Sequence, residues 1–133
     1  MSYSQVAQDL WVLEKLRYKT NGYFLDWGAW DGVHINNTYL LEKDYDWVGI
    51  YVEPNTEVFN QLIINRLMCY CENVVVYNKN GLVDFIEQGG QIGGVLEECA
   101  DFHKEWIKKR NIMGRNNTKN KKMFNSIKNP RSF

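Results

Sequence analysis

Asp26, Asp31 and Glu53 stand where a carboxylate could hold a ligand. The segment Gly22-Tyr23-Phe24-Leu25-Asp26-Trp27-Gly28-Ala29-Trp30-Asp31-Gly32 reads as an apolar strand running into a tight, acid-bearing glycine turn. A second apolar run, Val48-Gly49-Ile50-Tyr51-Val52, ends in Glu53-Pro54-Asn55, with Glu53 21 residues past Gly32. That order and spacing fit a nucleotide-type ligand at the edge of a parallel sheet. A dinucleotide site would carry G-x-G-x-x-G, so that a pyrophosphate could rest on a helix N-terminus. Here the turn is Asp26-x-Gly28-Ala29-x-x-Gly32, and its acids would repel a pyrophosphate. The same acids suit a cation. S-adenosylmethionine has a sulfonium, an ammonium and a ribose diol but no phosphate, and the forked carboxylate of Glu53 matches a diol.

Each member has an ordinary reading when taken singly. Glu53 could be a solvated loop acid, Asp26 and Asp31 could complement a helix N-terminus, and the glycines could serve turn geometry alone. Their joint order and spacing carry the ligand reading. His34, two residues past Gly32, could act as a base, although an exposed loop histidine is the plainer identity.

The elements that must position these residues follow from periodicity. Residues 4–19 read as a helix with Ser4 as N-cap and Val6, Leu10, Leu13 and Leu16 as its apolar stripe, stopped by Asn21-Gly22. Tyr23–Trp27 and Val48–Val52 read as strands, the second nearly all apolar as in a strand covered on both faces. Residues 37–45 supply a short helix capped by Asn36, Asn37 or Thr38. Thr56 is expected to cap a helix over 57–68. Asn73–Tyr77 reads as a third strand, and Asn80-Gly81 as a hairpin turn pairing it with Leu82–Ile86. Gly89-Gly90 and Gly93-Gly94 mark a loop before a helix over 95–109.

Length and composition bound the rest. A chain of 133 residues, 44% hydrophobic and 14% aromatic, can build one modest packed domain. No apolar run approaches the ~18 residues of a membrane span, and the N-terminus lacks a basic-then-apolar leader pattern. Cys69, Cys71 and Cys99 are an odd set without a disulfide framework. Together these features give the expectation of a cytoplasmic protein. Neither His34 nor His103 stands at a zinc-site spacing from Cys69-x-Cys71, so no metal is expected. Residues 1–107 carry all sixteen acids and a net charge of −9, whereas 108–133 carry +9 and no acid. The chain is therefore read as a folded domain over 1–107 and a poorly ordered Asn/Lys-rich tail over 108–133. The tail could release counterions from a nucleic acid. Its two phenylalanines are too sparse for a stacking platform, and a nucleic-acid partner is not expected.

The chain resembles the FkbM-type methyltransferases, a branch of the class I S-adenosylmethionine-dependent enzymes. The resemblance runs from Ser4 to about Ile107. It rests on Ser4-Gln5 with Gln8-Asp9, Gly22-Tyr23-Phe24-Leu25-Asp26, Gly28-Ala29 with Asp31-Gly32-Val33, and Asn37-Thr38-Tyr39-Leu40-Leu41-Glu42. Trp47-x-Gly49-Ile50, Glu53-Pro54-Asn55 and Asn65-Arg66 complete it. The chain departs from the family pattern at Ala7, where the family usually has glycine, and at Trp27 and Trp30, which replace a branched aliphatic and a smaller residue.

The resemblance implies an α/β fold: a partial Rossmann-like parallel sheet with helices on both faces, truncated at the C-terminus. It implies S-adenosylmethionine as cofactor and methyl transfer to a hydroxyl of a sugar or small molecule. Asp26, Gly28, Ala29 and Gly32 would line the cofactor's amino-acid end, Glu53 would hold the ribose, and Asp31 and Pro54 would also belong to the cofactor site. Asn37, Thr38, Gln5, Gln8 and Asp9 would lie around the site. The family's later strands, including one with a D-x-E-G-type motif near the acceptor, have no counterpart here. Catalysis would then need a complementing chain or self-association. The competing reading is a non-catalytic interaction module that self-associates through an exposed sheet edge.

Overall fold

Two apolar runs of five residues with no helical spacing bury themselves by pairing side by side, and the rest of the N-terminal unit is arranged around that pair. The computed structural model describes residues 1–78, 80–87, 94–98, 101, 105 and 118–124. They divide into two compact units, Met1–Asn73 and Val74–Phe133.

In the first unit the order is α1 (Gln8–Lys15), β1 (Tyr23–Trp27), α2 (Tyr39–Tyr45), β2 (Val48–Val52), α3 (Thr56–Asn65) and β3 (Tyr70–Glu72). The strands form a parallel sheet in the order β1-β2-β3, with Tyr23 opposite Val48, Trp27 opposite Val52, and Ile50 opposite Tyr70. Parallel strands joined through helices make this an α/β arrangement. The two strand–helix–strand crossings bring the C-terminal ends of all three strands to one edge, with those of β1 and β2 side by side.

The core lies on one face of the sheet. Phe24 of β1 and Tyr51 of β2 share that face and pack with Leu13 of α1, Leu40 and Leu41 of α2 and Leu62 of α3. On the opposite face Tyr23, Leu25 and Trp27 remain 49%, 41% and 59% exposed, so β1 is covered on its inner side alone.

Several boundaries differ from the sequence reading. The first helix is shorter than 4–19, because Ala7 (φ 61°), Arg17 (φ 52°) and Tyr18 (φ 56°) adopt left-handed backbone on either side of it. Its buried residues are Asp9 and Leu13, whereas Val6, Leu10 and Leu16 are exposed. Asn55, not Thr56, caps α3: its side chain accepts from the Glu57 and Val58 N–H groups at 3.0 and 3.2 Å. That helix stops at Asn65 because Arg66 leaves helical geometry (φ −128°, ψ 60°). The third strand of the parallel sheet is Tyr70–Glu72, earlier than expected.

The second unit contains β4 (Val75–Val76), β5 (Gly81–Ile86), β6 (Gly94–Val95), a 3₁₀ turn at Leu96–Glu98, and β7 (Thr118–Phe124). Its sheet order is β4-β7-β5-β6. The expected hairpin between the Val75 region and Leu82–Ile86 is not formed directly, because β7 lies between them, parallel to β4 and antiparallel to β5. Val75, Val83 and Phe85 make a small core, with Tyr77 and Val95 against it. The segment 118–124, read from sequence as poorly ordered, is thus a ladder strand; polar Lys/Asn composition masks a strand whose pairing is set by tertiary context. Val95 belongs to a strand rather than to the expected 95–109 helix. Most of that helix, the Gly89–Gly93 loop and the remainder of the tail lie outside the described residues.

Two glycines of the β1 turn need their positive φ for different reasons. Gly28 (φ +75°) faces open space: a Cβ there would meet nothing within 4 Å. At Gly32 (φ +79°) a Cβ would sit 2.7 Å from Leu62 Cδ1 and 2.8 Å from Arg66 Cγ. Gly28→Ala should therefore cost only the left-handed backbone penalty, about 1–2 kcal/mol. Gly32→Ala should cost clearly more, read as a lower urea midpoint at unchanged slope. Equal midpoints would contradict this packing.

Candidate functional site

The turn after β1 is fastened to the tip of β2. Gly28 and Ala29 both donate their N–H to the Val52 carbonyl, at 2.8 and 3.2 Å. The Trp30 N–H donates to Glu53 Oε2 at 3.0 Å, and the Asn55 N–H to Glu53 Oε1 at 2.8 Å. Glu53 is 6% exposed, and these two amides orient its carboxylate. Trp30 keeps a left-handed backbone (φ 55°), an uncommon state for a bulky residue. Asn73 closes the tip from the far side, donating to the Glu53 and Pro54 carbonyls at 2.7 and 3.1 Å.

Below the turn lies a buried polar network centred on Arg66, which is 2% exposed. Its Nε donates to the Gly32 carbonyl at 2.7 Å, Nη1 to Glu42 Oε2 at 2.6 Å and Nη2 to Asn36 Oδ1 at 3.1 Å. The guanidinium also lies 4.6 Å from the Tyr39 ring centroid and 4.8 Å from that of Tyr51. Neighbouring Asn65 donates to the Asp31 carbonyl at 2.8 Å. The end of α3 therefore holds both carbonyls of the turn's Asp31-Gly32 step. Glu42 Oε2 additionally accepts from Tyr51 Oη at 3.2 Å and Cys69 Sγ at 3.2 Å. Burial pushes the Tyr51 phenol far up and the Cys69 thiol up to about 12, so both stay protonated donors. A protonated thiol is a poor nucleophile or metal ligand. Among the described residues no group of three or more His, Cys, Asp or Glu side chains could hold a metal ion.

Asp26 turns toward this network. Its Oδ2 accepts from Thr38 Oγ1 at 2.7 Å and from Asn36 Nδ2 at 3.1 Å. Asn36 Nδ2 also donates to the Ala29 carbonyl at 3.2 Å. Asp31 is used within its own loop: Oδ1 accepts from the Val33 and His34 N–H groups, each at 2.9 Å, and Oδ2 meets His34 Nδ1 at 2.5 Å. Burial alone would raise the Asp31 carboxyl, but the hydrogen bonds from His34 and Val33 hold it below its ordinary value.

Of the residues singled out from sequence, Asp26, Gly28, Ala29, Asp31, Gly32, Thr38, Glu53 and Pro54 lie along the β1 turn, the start of α2 and the β2 tip. Asn37 is exposed, and its neighbour Asn36 takes the network position instead. Gly32 faces Leu62 and Arg66, whereas Gly28 faces open space. Asp9, which is fully buried, fastens the N-terminal residues: its carboxylate accepts from Ser2 Oγ (2.5 Å), Ser4 Oγ (2.7 Å) and the Tyr3 N–H (2.8 Å). Ser4 Oγ in turn accepts from the Asp9 N–H at 3.3 Å. Tyr3, so held, packs edge-on against Tyr39, with ring centroids 4.6 Å apart. Gln5 is exposed and Gln8 accepts from the Val6 N–H. Sequence reasoning missed Asn36, Glu42, Tyr51 and Arg66 as site residues. The available signal was an Arg beside the apolar stripe of α3 and a Glu beside that of α2, each with no partner in its own helix.

No protein-family model matches the chain, and no curated protein or solved structure matches it.

Two outcomes follow from the network. Arg66→Ala should destabilise the unit by about 3 kcal/mol, because it empties a buried cation site and leaves the part-buried Glu42 carboxylate without its partner. Arg66→Ala combined with Glu42→Gln should recover part of that loss in a double-mutant cycle, and strictly additive losses would contradict the pairing. For Asp31 the folded carboxyl titrates below its unfolded value of 3.8. Its contribution is therefore complete above pH 3.8 and is lost as pH falls through the folded value. The stability gap between wild type and Asp31→Asn, measured by urea unfolding, should close on acidification below that point.

Proposed function

We propose that residues 1–73 form the cofactor-binding half of a Rossmann-like S-adenosylmethionine-dependent methyltransferase. The observation that carries this reading is the fastening of an acid-bearing glycine turn to the tip of the adjacent parallel strand, with Glu53 oriented by the Trp30 and Asn55 amides. Ligands of open α/β sheets bind outside the carboxyl ends of the strands.

The residues present fit that cofactor. Gly28 leaves open space where a ligand can approach the backbone. Glu53 would take the ribose hydroxyls, and the turn from Asp26 to Asp31 would surround the cationic amino-acid end with negative charge. When bound, S-adenosylmethionine supplies an electrophilic methyl group for a hydroxyl of a sugar or small molecule. The chain's own contribution is to hold the ends in line, which is where most of the advantage in such a transfer arises.

The resemblance to the FkbM-type enzymes gains support from two features. Residues that carry it meet in pairs around the turn and the β2 tip: Arg66 with Gly32 and Glu42, Asn65 with Asp31, and Asn55 with Glu53. Ala7, where that family usually has glycine, has φ 61°, a conformation glycine adopts without strain. The acceptor side would come from beyond this unit. The exposed Tyr23, Leu25 and Trp27 on the uncovered face of β1 favour a complementing segment or a second copy as its source.

Isothermal titration with S-adenosylmethionine tests the reading. Saturable binding is expected, weakened at least tenfold in Glu53→Ala, since a charge-assisted pair of hydrogen bonds to a diol is worth about 1.5–3 kcal/mol or more. Absence of heat in the folded protein, or identical binding by Glu53→Ala, would contradict it.

A further inference from the structure

The cofactor reading does not use one contact beside the turn, that of the His34 imidazole with the carboxylate of Asp31. We propose that His34 is the general base that takes the proton of the acceptor hydroxyl, with Asp31 as the residue that positions it; this rests on the cofactor reading of the preceding subsection.

The geometry is that of an oriented base. Asp31 cannot swing: its Oδ1 is tied to two backbone N–H groups at 2.9 Å, and its own carbonyl is held by Asn65 Nδ2 at 2.8 Å. The next carbonyl along, that of Gly32, is held by buried Arg66. An ionised carboxylate only accepts hydrogen bonds, so the 2.5 Å contact to Oδ2 places the imidazole proton on Nδ1. Nε2 is then the acceptor nitrogen, on the side of the ring away from Asp31. The His34 side chain is 79% exposed, against 10% for that of Asp31, so the acceptor nitrogen is within reach of a substrate. His34 is four residues along the chain from Trp30, whose amide touches Glu53, a span of at most about 14 Å.

In the transfer, the acceptor oxygen bonds to the methyl carbon as Nε2 takes the hydroxyl proton. The bound cofactor would supply the methyl group, and the electron pair of its C–S bond would stay with sulfur as a neutral thioether. The imidazolium so formed is stabilised by Asp31, the division of labour found wherever a histidine base is backed by a carboxylate. The alternative role is purely local, with His34 closing the loop as a staple on Asp31. That role also puts the imidazole proton on Nδ1, but it needs no proximity to bound cofactor.

Three measurements on the full chain test the proposal, and the third, protection by bound cofactor, separates the two roles. Long-range ¹H–¹⁵N correlation spectra at pH 7.5 should show the Nδ1–H tautomer of His34. Diethyl pyrocarbonate, followed by mass spectrometry of the His34 peptide, should modify the ring several-fold more slowly in Asp31→Asn than in wild type. Saturating S-adenosylmethionine should slow the wild-type modification several-fold. An Nε2–H tautomer overturns the proposal. So does binding of S-adenosylmethionine, seen as titration heat, that leaves the modification rate unchanged. If no binding heat appears at all, the cofactor reading itself fails and the base role goes with it, whatever the tautomer.

Discussion

A guanidinium buried in a small protein has to find an anion, several acceptors and flat surfaces to lie against, and Arg66 finds all of them at one point. Glu42 supplies the charge, the Gly32 carbonyl and Asn36 each accept a further proton, and Tyr39 and Tyr51 flank its plane. Those partners come from the glycine turn, from α2 and the loop before it, and from β2, while Arg66 itself follows α3. Desolvating such a pair roughly cancels its attraction, so the net gain in stability is modest compared with an apolar replacement. What the network provides is position. With Asn65 holding the adjacent carbonyl, the end of α3 fixes the Asp31-Gly32 step from below while Val52 and Glu53 fix Gly28, Ala29 and Trp30 from the side.

This arrangement explains why strained backbone is tolerated in the turn. Left-handed φ values at Gly28, Trp30, Gly32 and Ile35 follow one another within eight residues. Such conformations persist only where surrounding contacts over-determine them, and they concentrate at ligand sites. The glycines divide the work: Gly32 lets the turn approach Leu62 and Arg66, while Gly28 leaves its outer side open. The same logic places Asp26 and Asp31 in supporting roles. Each carboxylate is engaged by neighbouring side chains or amides, so their charge contributes to the field of the site from fixed positions.

The strands β1 and β2, and the acid at the tip of β2, were legible because parallel-sheet strands are short continuous apolar runs bounded by Gly and Pro. The helix ends were less so. Asn55 and Thr56 are both good caps, and only the geometry decides that Asn55 reaches the Glu57 and Val58 amides. The first helix misled because Val6, Leu10, Leu13 and Leu16 form a helical stripe, whereas the chain buries Asp9 and Leu13 instead. A buried aspartate satisfied by Ser2, Tyr3 and Ser4 has no periodic signature. The β7 strand, Thr118–Phe124, was hidden for a related reason, since its Lys/Asn-rich sequence has no apolar alternation and shows only in its backbone pairing with β5. Of the Arg66 network the sequence showed only an Arg and a Glu beside apolar stripes, because its members are spread from Gly32 to Cys69 and meet only through the crossings of the sheet.

The site thus consists of a turn built to hold an unusual backbone, an oriented carboxylate beside it, and open space at Gly28. The central claim is that a cationic adenosyl ligand occupies that place. Its most direct test is a ¹H–¹⁵N correlation spectrum of the protein titrated with S-adenosylmethionine. The account predicts that the amides of Gly28, Trp30 and Asn55 shift first and furthest. Shifts confined to residues such as those of β5, with the turn and the β2 tip unmoved, would contradict it.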